Sequence, residues 1–465
     1  MPQYAKTSFS SALCACALLA TAPASAVDLM EVYAQALTND PLLLEAEATR
    51  RAAEENRPQA LANLLPTINL QGQFDDQDTE GTTTAPAFTG GPVISTRRPS
   101  DADRIQWTLR LSQPLFRWDR WIALKRADKQ IALEEANYAA AKQSLAVRVS
   151  ERYFAVLSAQ DSLQAEQANK EAIARQLEEA ETRFDVGLIA VTDVYESRSA
   201  YDQSVAAEIG AKRTLATALE NLREVTGEYA NGDLGAPGDD LPLVAPEPAD
   251  PDRWVRDALE QNLNVAASRL QVDIAADDIK TQRAGHLPTL DLVLSRDHFD
   301  SDGSRFDVLE DGRVFGGVQT SDFDTDTIAL QFNVPIYSGG AVRSRTRQAV
   351  HQQRAAKQRL ERVSRETERQ TRDAFLGVEA EIARVNALAQ AVTSSETALS
   401  ATEAGFDVGT RTSVDVLNAR RDLLRAQTNY RSARYDYLLN VVRLKQAAGT
   451  LTLADLKDIN RWLTH

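Results

Sequence analysis

The chain has 465 residues and a formal net charge of −15, and its Lys and Arg residues are spread along the sequence rather than gathered in one block. This balance argues against a nucleic-acid-binding protein, which would present a cationic patch. The only cysteines, Cys14 and Cys16, lie so near the N-terminus that the expected mature chain has no thiol for disulfides, metal ligation or nucleophilic catalysis.

The N-terminal residues predict export. Lys6 precedes an apolar run that ends at Ala24-Ser25-Ala26, the small-x-small pattern of signal-peptide cleavage. We therefore expect a signal peptide at residues 1–26. Leu13, three residues before Cys16, is a faint lipoprotein signal, but the apolar run continues beyond it and favours the later cut. No later stretch of about 18 apolar residues predicts a membrane-spanning helix.

The rest of the chain repeats itself at an offset of 222 residues. RFDVGLIAVTDV, which starts at Arg183, aligns with GFDVGTRTSVDV, which starts at Gly405, and Leu65-Pro66-Thr67 aligns with Leu287-Pro288-Thr289. Two copies are too few for a solenoid, so the pattern indicates a duplicated unit. The predicted divisions are a first repeat at 27–227, a linker at 228–250, a second repeat at 251–449 and a C-terminal equatorial segment at 450–465.

Each repeat opens with short helical sequence and continues with two stretches in which apolar and polar residues alternate. The predicted strands cover about 66–75 and 103–115 in the first repeat and about 288–299 and 324–336 in the second. The turn-rich segments between them, 75–103 and 300–326, are predicted as long polar loops. Such strand pairs are typical of a transmembrane β-barrel, although a soluble sandwich with one wet face would alternate in the same way.

Long helices follow the strands. No proline lies between Pro114 and Pro237 or after Pro335, and the last segment repeats large apolar residues every seven positions, as in Val416 and Leu423. The pattern predicts helical hairpins at about 116–226 and 337–448, with outward arms of roughly 65 residues that approach 100 Å at 1.5 Å per residue. Periodicity alone would equally suit a coiled-coil rod, but the strand pairs argue against a rod.

Four strands per chain predict an oligomer. The smallest transmembrane barrels need about eight strands, and an open edge would leave backbone groups unpaired in lipid. Two chains would supply eight strands around a filled interior, whereas three would supply twelve around a passable lumen.

The duplicated plan, with FDVGL and FDVGTR at the hairpin turns and VDVLNARRDLLRAQTNY after the second, resembles the TolC family over essentially the whole mature chain. The resemblance implies a mainly α fold with a β-barrel part, in which duplicated strand pairs and long coiled-coil hairpins form a trimeric tunnel with a mixed equatorial region. It implies a homotrimer in the outer membrane that extends into the periplasm. There it would carry small molecules or unfolded proteins out of the cell.

The expected partners are outer-membrane lipid, a periplasmic adaptor (membrane fusion) protein and an inner-membrane ABC or RND-type transporter, without nucleic acid or cofactor. A periplasmic coiled-coil structural or adaptor protein without its own channel is the alternative. No enzyme is expected, since the four histidines show no metal-ligand spacing and no catalytic constellation stands out.

The hairpin turns are the candidate working part. Gly187 and Gly409 suit a left-handed turn, and Thr192, Thr412 or Ser413 can cap the returning helix, which would by itself explain these motifs. The resemblance adds a periplasmic gate at Thr192, Asp193, Phe406, Arg411, Asp415 and Asn418. It also adds adaptor contacts at Val186, Gly187, Leu188, Val408, Gly409 and Thr410.

Arg411 can fork to a carboxylate such as Asp193 on a neighbouring helix and so act as a latch. The chain departs from the family at Phe406, where a tyrosine hydroxyl would bond, and at Asn418, where a second carboxylate would sit. We expect a weaker latch and a less acidic entrance.

Overall fold

The computed structural model describes residues 27–86, 88–89, 91–229, 232–238 and 240–463, so the expected signal peptide at 1–26 lies outside the described residues. The elements, in chain order, are α1 (Leu29–Asn39), α2 (Pro41–Glu54), α3 (Asn56–Ala62), β1 (Thr67–Pro86), β2 (Val93–Phe116), α4 (Trp118–Asp185), α5 (Val191–Thr226), α6 (Pro251–Gln261), α7 (Leu263–Ala284), β3 (Thr289–Leu309), β4 (Val314–Asn333), α8 (Ala341–Asp407), α9 (Ser413–Ala447) and α10 (Leu453–Arg461).

The strands form one antiparallel sheet in the order β1-β2-β3-β4. Its register places Ile68, Leu111, Leu294 and Ile328 side by side in a single row across all four strands. Because alternate residues of a strand share a face, this row extends into an apolar face. Ile68 is 66% exposed and Ile328 is 79% exposed, so much of that face is uncovered in the single chain. Within the described residues, β1 and β4 each pair with only one neighbour.

The strands are longer than the sequence predicted. The predicted loops at 75–103 and 300–326 are mostly strand, since β1 reaches Pro86, β2 starts at Val93, and a short turn at 310–313 separates β3 from β4. Asp, Thr and Gly made these segments look like turns, and their exposed positions show no apolar alternation. Continuous backbone pairing, as of Thr83 with Thr96, overrides that composition.

Two long helical hairpins extend from the sheet. The outward helices α4 and α8 have 68 and 67 residues, and the returning helices α5 and α9 have 36 and 35. At 1.5 Å per residue an outward arm measures about 100 Å. Within the part of the chain that the structure describes, none of the helices combines the length and apolar character that a bilayer crossing requires.

The main hydrophobic core lies part-way along the hairpins, where α1 and α10 pack around them. Tyr153 and Tyr437 are fully buried there. The Tyr153 hydroxyl bonds the carbonyl oxygens of Val27 (3.1 Å) and Gly235 (2.8 Å), and the Tyr437 hydroxyl accepts a 2.8 Å bond from the Val244 amide. These hydrogen bonds hold the segment after the first repeat, which includes Gly235 and Val244, against the long helices.

A buried carboxylate joins α4 to α5 between this core and the tips. Glu208 accepts hydrogen bonds from Lys170 (2.7 Å) on α4 and forms an ion pair with Lys212 (2.8 Å) on α5. These two lysines lower the pKa of Glu208 to about 2, first through the hydrogen bond from Lys170 and then through that from Lys212. Glu208 therefore stays ionised through mildly acidic pH.

Candidate functional site at the hairpin tips

Both hairpins end in the same backbone turn. The Leu188 amide bonds the Arg183 carbonyl and the Gly187 amide bonds the Phe184 carbonyl, each at 2.8 Å. In the second hairpin the Thr410 amide donates to the Gly405 carbonyl at 2.8 Å and the Gly409 amide donates to the Phe406 carbonyl at 3.0 Å, which is the same pattern. These are paired Schellman bonds, which need a left-handed residue after the helix. Gly187 and Gly409 supply it with φ values of 75° and 77°.

The two returning helices begin differently. Thr412 is the N-cap of α9 and forms a reciprocal capping box with Asp415, so that each side chain bonds the other residue's backbone amide. Helix α5 has Ala190 at its N-cap, without a side-chain cap. The prediction that Thr192 could cap its returning helix is therefore wrong, because Thr192 lies inside the first turn and is exposed.

Asp415 is engaged in its own helix. The pKa of its carboxyl is lowered, first by the backbone amide of Thr412, then by the Thr412 hydroxyl and by the charge of nearby Arg411. Asn418 lies exposed one turn further along α9. The Asp415 carboxylate is therefore less available for pairing with groups outside its own helix than the sequence implied.

A cleft of about 530 Å³ between the two tips collects part of the predicted gate and adaptor sets, namely Leu188, Asp193, Phe406, Val408, Gly409 and Arg411. The structure does not bring Thr192, Asp415, Asn418, Val186, Gly187 or Thr410 into its lining. Asp193 is half-buried and Arg411 is exposed. Among the described residues neither forms an ion pair within the chain, so both side chains are available to pair with another group.

Three contacts that the sequence did not reveal fasten the second tip to α4 or to α8. The Arg183 guanidinium lies over the Phe406 ring, 4.8 Å from its centroid, and is itself paired with Glu179. Gln176 donates a 3.3 Å hydrogen bond to the Ser413 carbonyl, and Arg420 pairs with Glu403 at 2.6 Å. The first two join elements more than 200 residues apart, and no local pattern predicts such pairs.

The turns expose apolar side chains at the far end of the molecule. Val186, Leu188 and Val408 are 67%, 74% and 75% exposed. The Schellman geometry does not require this, since such turns commonly fold the residue after the glycine against the helix. Contiguous exposed apolar residues are typical of contact surfaces.

Among the described residues, no group of three or more His, Cys, Asp or Glu side chains is arranged to hold a metal ion.

Comparison with known proteins places these features in context. The family described as "Outer membrane efflux protein" matches residues 32–228 and again residues 254–450. Outer membrane protein TolC of Vibrio cholerae is 36% identical over 439 residues, which cover 94% of each chain. Alkaline protease secretion protein AprF of Pseudomonas aeruginosa is 30% identical, over 95% of this chain and 88% of AprF. A crystal structure of CusC superposes with a TM-score of 0.74 at 17% identity, over 91% of this chain and 92% of CusC.

Proposed function

This chain belongs to the outer membrane efflux protein family, and we propose that its entrance is gated at the hairpin tips. It is an outer-membrane protein and the exit duct of an efflux or secretion system. The observation that carries the gating proposal is the tip cleft, where Asp193 and Arg411, which form no ion pair among the described residues, lie about 100 Å from the sheet.

We propose that three copies pool their sheets. The open edges β1 and β4 carry unpaired backbone groups, each of which costs several kcal/mol in lipid. Pairing β4 of one copy with β1 of the next satisfies both edges and closes a ring. Three copies give twelve strands, enough to leave a lumen through which small molecules or unfolded proteins pass.

The proposed latch uses Arg411 and Asp193. Arg411 is permanently charged, presents a planar fork of donors and has no ion pair within the described residues. Asp193 lies in the first turn of α5, where the helix dipole favours its charge. An Arg411–Asp193 pair between neighbouring copies would hold the returning helices together while remaining weak enough for a docking partner to break.

The proposed adaptor surface is the exposed apolar rim of the tips, with Val186, Leu188 and Val408 around the two turn glycines. We propose that a periplasmic adaptor covers this rim and connects the duct to an inner-membrane ABC or RND-type transporter. In this scheme the chain conducts its cargo without chemistry or cofactor.

Two measurements test the duct. Purified protein should sediment as a trimer in detergent and give stepwise conductance in planar bilayers. A monomer without channel activity would refute the assembly.

For the adaptor surface, Leu188→Asp should abolish cross-linking to the co-expressed adaptor. Ile209→Asp, a matched control on α5 that is 62% exposed, should leave it intact. Equal cross-linking of both variants would remove Leu188 from the contact.

The alternative, a coiled-coil structural or adaptor protein, has less support. A rod would not need a four-stranded sheet with an uncovered apolar face. Exclusive recovery of the protein in the soluble periplasmic fraction would favour that alternative.

A further inference from the structure

The helices next to the sheet form a wall with two free edges. Helix α4 packs against α2 and α3 on one side and against α7 on the other, and α7 packs against α8. The wall therefore runs from α2–α3 through α4 and α7 to α8. The sheet above it runs in the same direction, from β1 to β4. The free helical edges are continuous with the free strand edges.

One free edge is basic. Arg343, Arg347, Arg354 and Lys357, here named the basic stripe, recur on α8 at intervals of four, seven and three residues, which places them on one helix face. All four are exposed, and none has an ion pair or side-chain hydrogen bond among the described residues. The chain is acidic overall and its basic residues look dispersed in the sequence, so only the helix collects this charge.

The other free edge is acidic. Glu45 on α2 and Glu55 at its C-terminal end are exposed and likewise lack side-chain partners within the part of the chain described. Ala48 and Ala52 lie exposed between them on the same face. Their small side chains allow another helix to approach closely. The neighbouring carboxylates differ, since Glu47 is paired with Arg51 on the same helix.

Contacts across the wall give the two charged edges a common height, measured from the strand ends. The contacts are Arg57 with Asp128 (3.0 Å), Lys129 with Asp277 (2.5 Å) and Gly285 against Val342. Helix α7 runs towards the sheet and α8 runs away from it. Asp277 precedes Gly285 by eight residues, or about 12 Å, so Asp277 is level with Val350, which follows Val342 by eight residues. Glu55, next to Arg57 in height, is therefore level with the stretch between Arg347 and Arg354.

We infer that the basic stripe binds the acidic edge of a second copy of this chain, with Glu55 of one copy facing Arg347 and Arg354 of the next. Glu45 lies about 15 Å further from the sheet, level with about residue 362 of α8 and so about 7.5 Å beyond Lys357. The inference rests on the proposed ring, because rotation about an axis normal to the membrane moves one edge onto the other without changing height. The ion pairs then join copies below the membrane, where the strand edges cannot.

Charge reversal tests this contact. Arg354→Glu should weaken the trimer about fivefold at each interface, the upper range for a surface ion pair, and about a hundredfold over three interfaces. Arg345→Glu is the matched control, because Arg345 is also exposed and unpaired in the described chain but lies about 180° around α8 from Arg354. Glu55→Arg combined with Arg354→Glu should restore part of the lost stability, because the pair forms again in reverse while Arg347 still faces the reversed charge at position 55. The measurement is sedimentation velocity in detergent at low salt, with circular dichroism to verify folding.

The outcomes separate the inference from the proposed duct. Equal weakening by both reversals, or failure of the paired reversal to rescue, would overturn the charge contact while leaving the trimer standing. An unchanged trimer, with Arg354→Glu instead losing binding to phosphatidylglycerol vesicles, would reassign the stripe to lipid and also overturn it. A wild-type chain that sediments as a monomer would refute the ring itself.

Discussion

The latch at the tips makes a quantitative prediction. Asp193→Ala combined with Arg411→Ala would remove the proposed ion pair between a half-buried and an exposed side chain, a class that contributes about 0.2–1 kcal/mol. Three copies would contribute about 0.6–3 kcal/mol to the closed state, again from the single-pair range. The ratio of open to closed channels should then rise between about threefold and about 150-fold, since 1.4 kcal/mol is a factor of ten.

The assay is single-channel recording in planar bilayers at low and high salt. The double variant should conduct more than the wild type at low salt, and the difference should shrink at 1 M salt because screening weakens exposed pairs. The single variants Asp193→Ala and Arg411→Ala should each give most of the effect, because either removal breaks the pair.

The matched control is Asp202→Ala with Arg213→Ala, which removes one acid and one base from exposed, unpaired positions on α5 in the described chain. This control should leave conductance unchanged. If a correctly assembled trimer of the latch variant conducts like the wild type, or if the control opens the channel equally, the latch assignment is wrong.

Four further predictions concern the helices and turns. Gly409→Ala should destabilise the second tip by about 1–2 kcal/mol through its left-handed backbone alone, because no atom crowds the new Cβ. Gly210→Ala, where the new Cβ meets open space within α5, should stabilise that helix by about 1 kcal/mol. Local amide hydrogen exchange measures both effects, and a change in the same direction for Gly409→Ala and Gly210→Ala would contradict this reasoning. The pKa of Glu208 is lowered to about 2, so the stability that its carboxylate adds is present above about pH 4.5 and is lost as the pH falls towards about 2. In Glu208→Gln the urea midpoint of unfolding should therefore depend less on pH across that window. The same pH dependence in the variant and the wild type would exclude this role of Glu208. Phe406→Leu should raise conductance, because it removes the ring under the Arg183 guanidinium, a contact that contributes about 0.5–1 kcal/mol. Phe406→Tyr keeps the ring and should not raise conductance. Equal effects of the two variants would exclude the ring contact.

The sequence predicted the helices well because their signals are local. Proline-free stretches and seven-residue spacing gave outward arms of roughly 65 residues, close to the 68 and 67 observed. The strands were underestimated for a related reason. Their outer halves are rich in Asp, Thr, Ser and Gly on both faces, so these segments lack the apolar alternation by which a strand is recognised. Cross-strand pairing extends them, and pairing is not a local property.

The tip site divides in the same way. The left-handed glycines and the Thr412 cap follow from turn chemistry within a few residues, and the structure has both. The failure at Thr192 arose because the first hairpin shares the motif of the second without its N-cap threonine, and the helix starts after Ala190 instead. Which charges meet across the cleft depends on how two hairpins pack, and short motifs contain no such information.

The contact between Arg183 and Phe406 also changes what the missing tyrosine hydroxyl implies. The expectation of a weaker latch counted only hydrogen bonds, and on that count Phe406 loses one. A guanidinium 4.8 Å from the centre of a ring contributes about 0.5–1 kcal/mol at an exposed site, which is comparable to the net value of a single hydrogen bond. The contact joins α4 to the end of α8, so it resists the separation of these two helices. Salt screens a ring contact less than an ion pair, so the entrance of this chain should keep part of its closure at ionic strengths that screen the proposed Asp193–Arg411 pair.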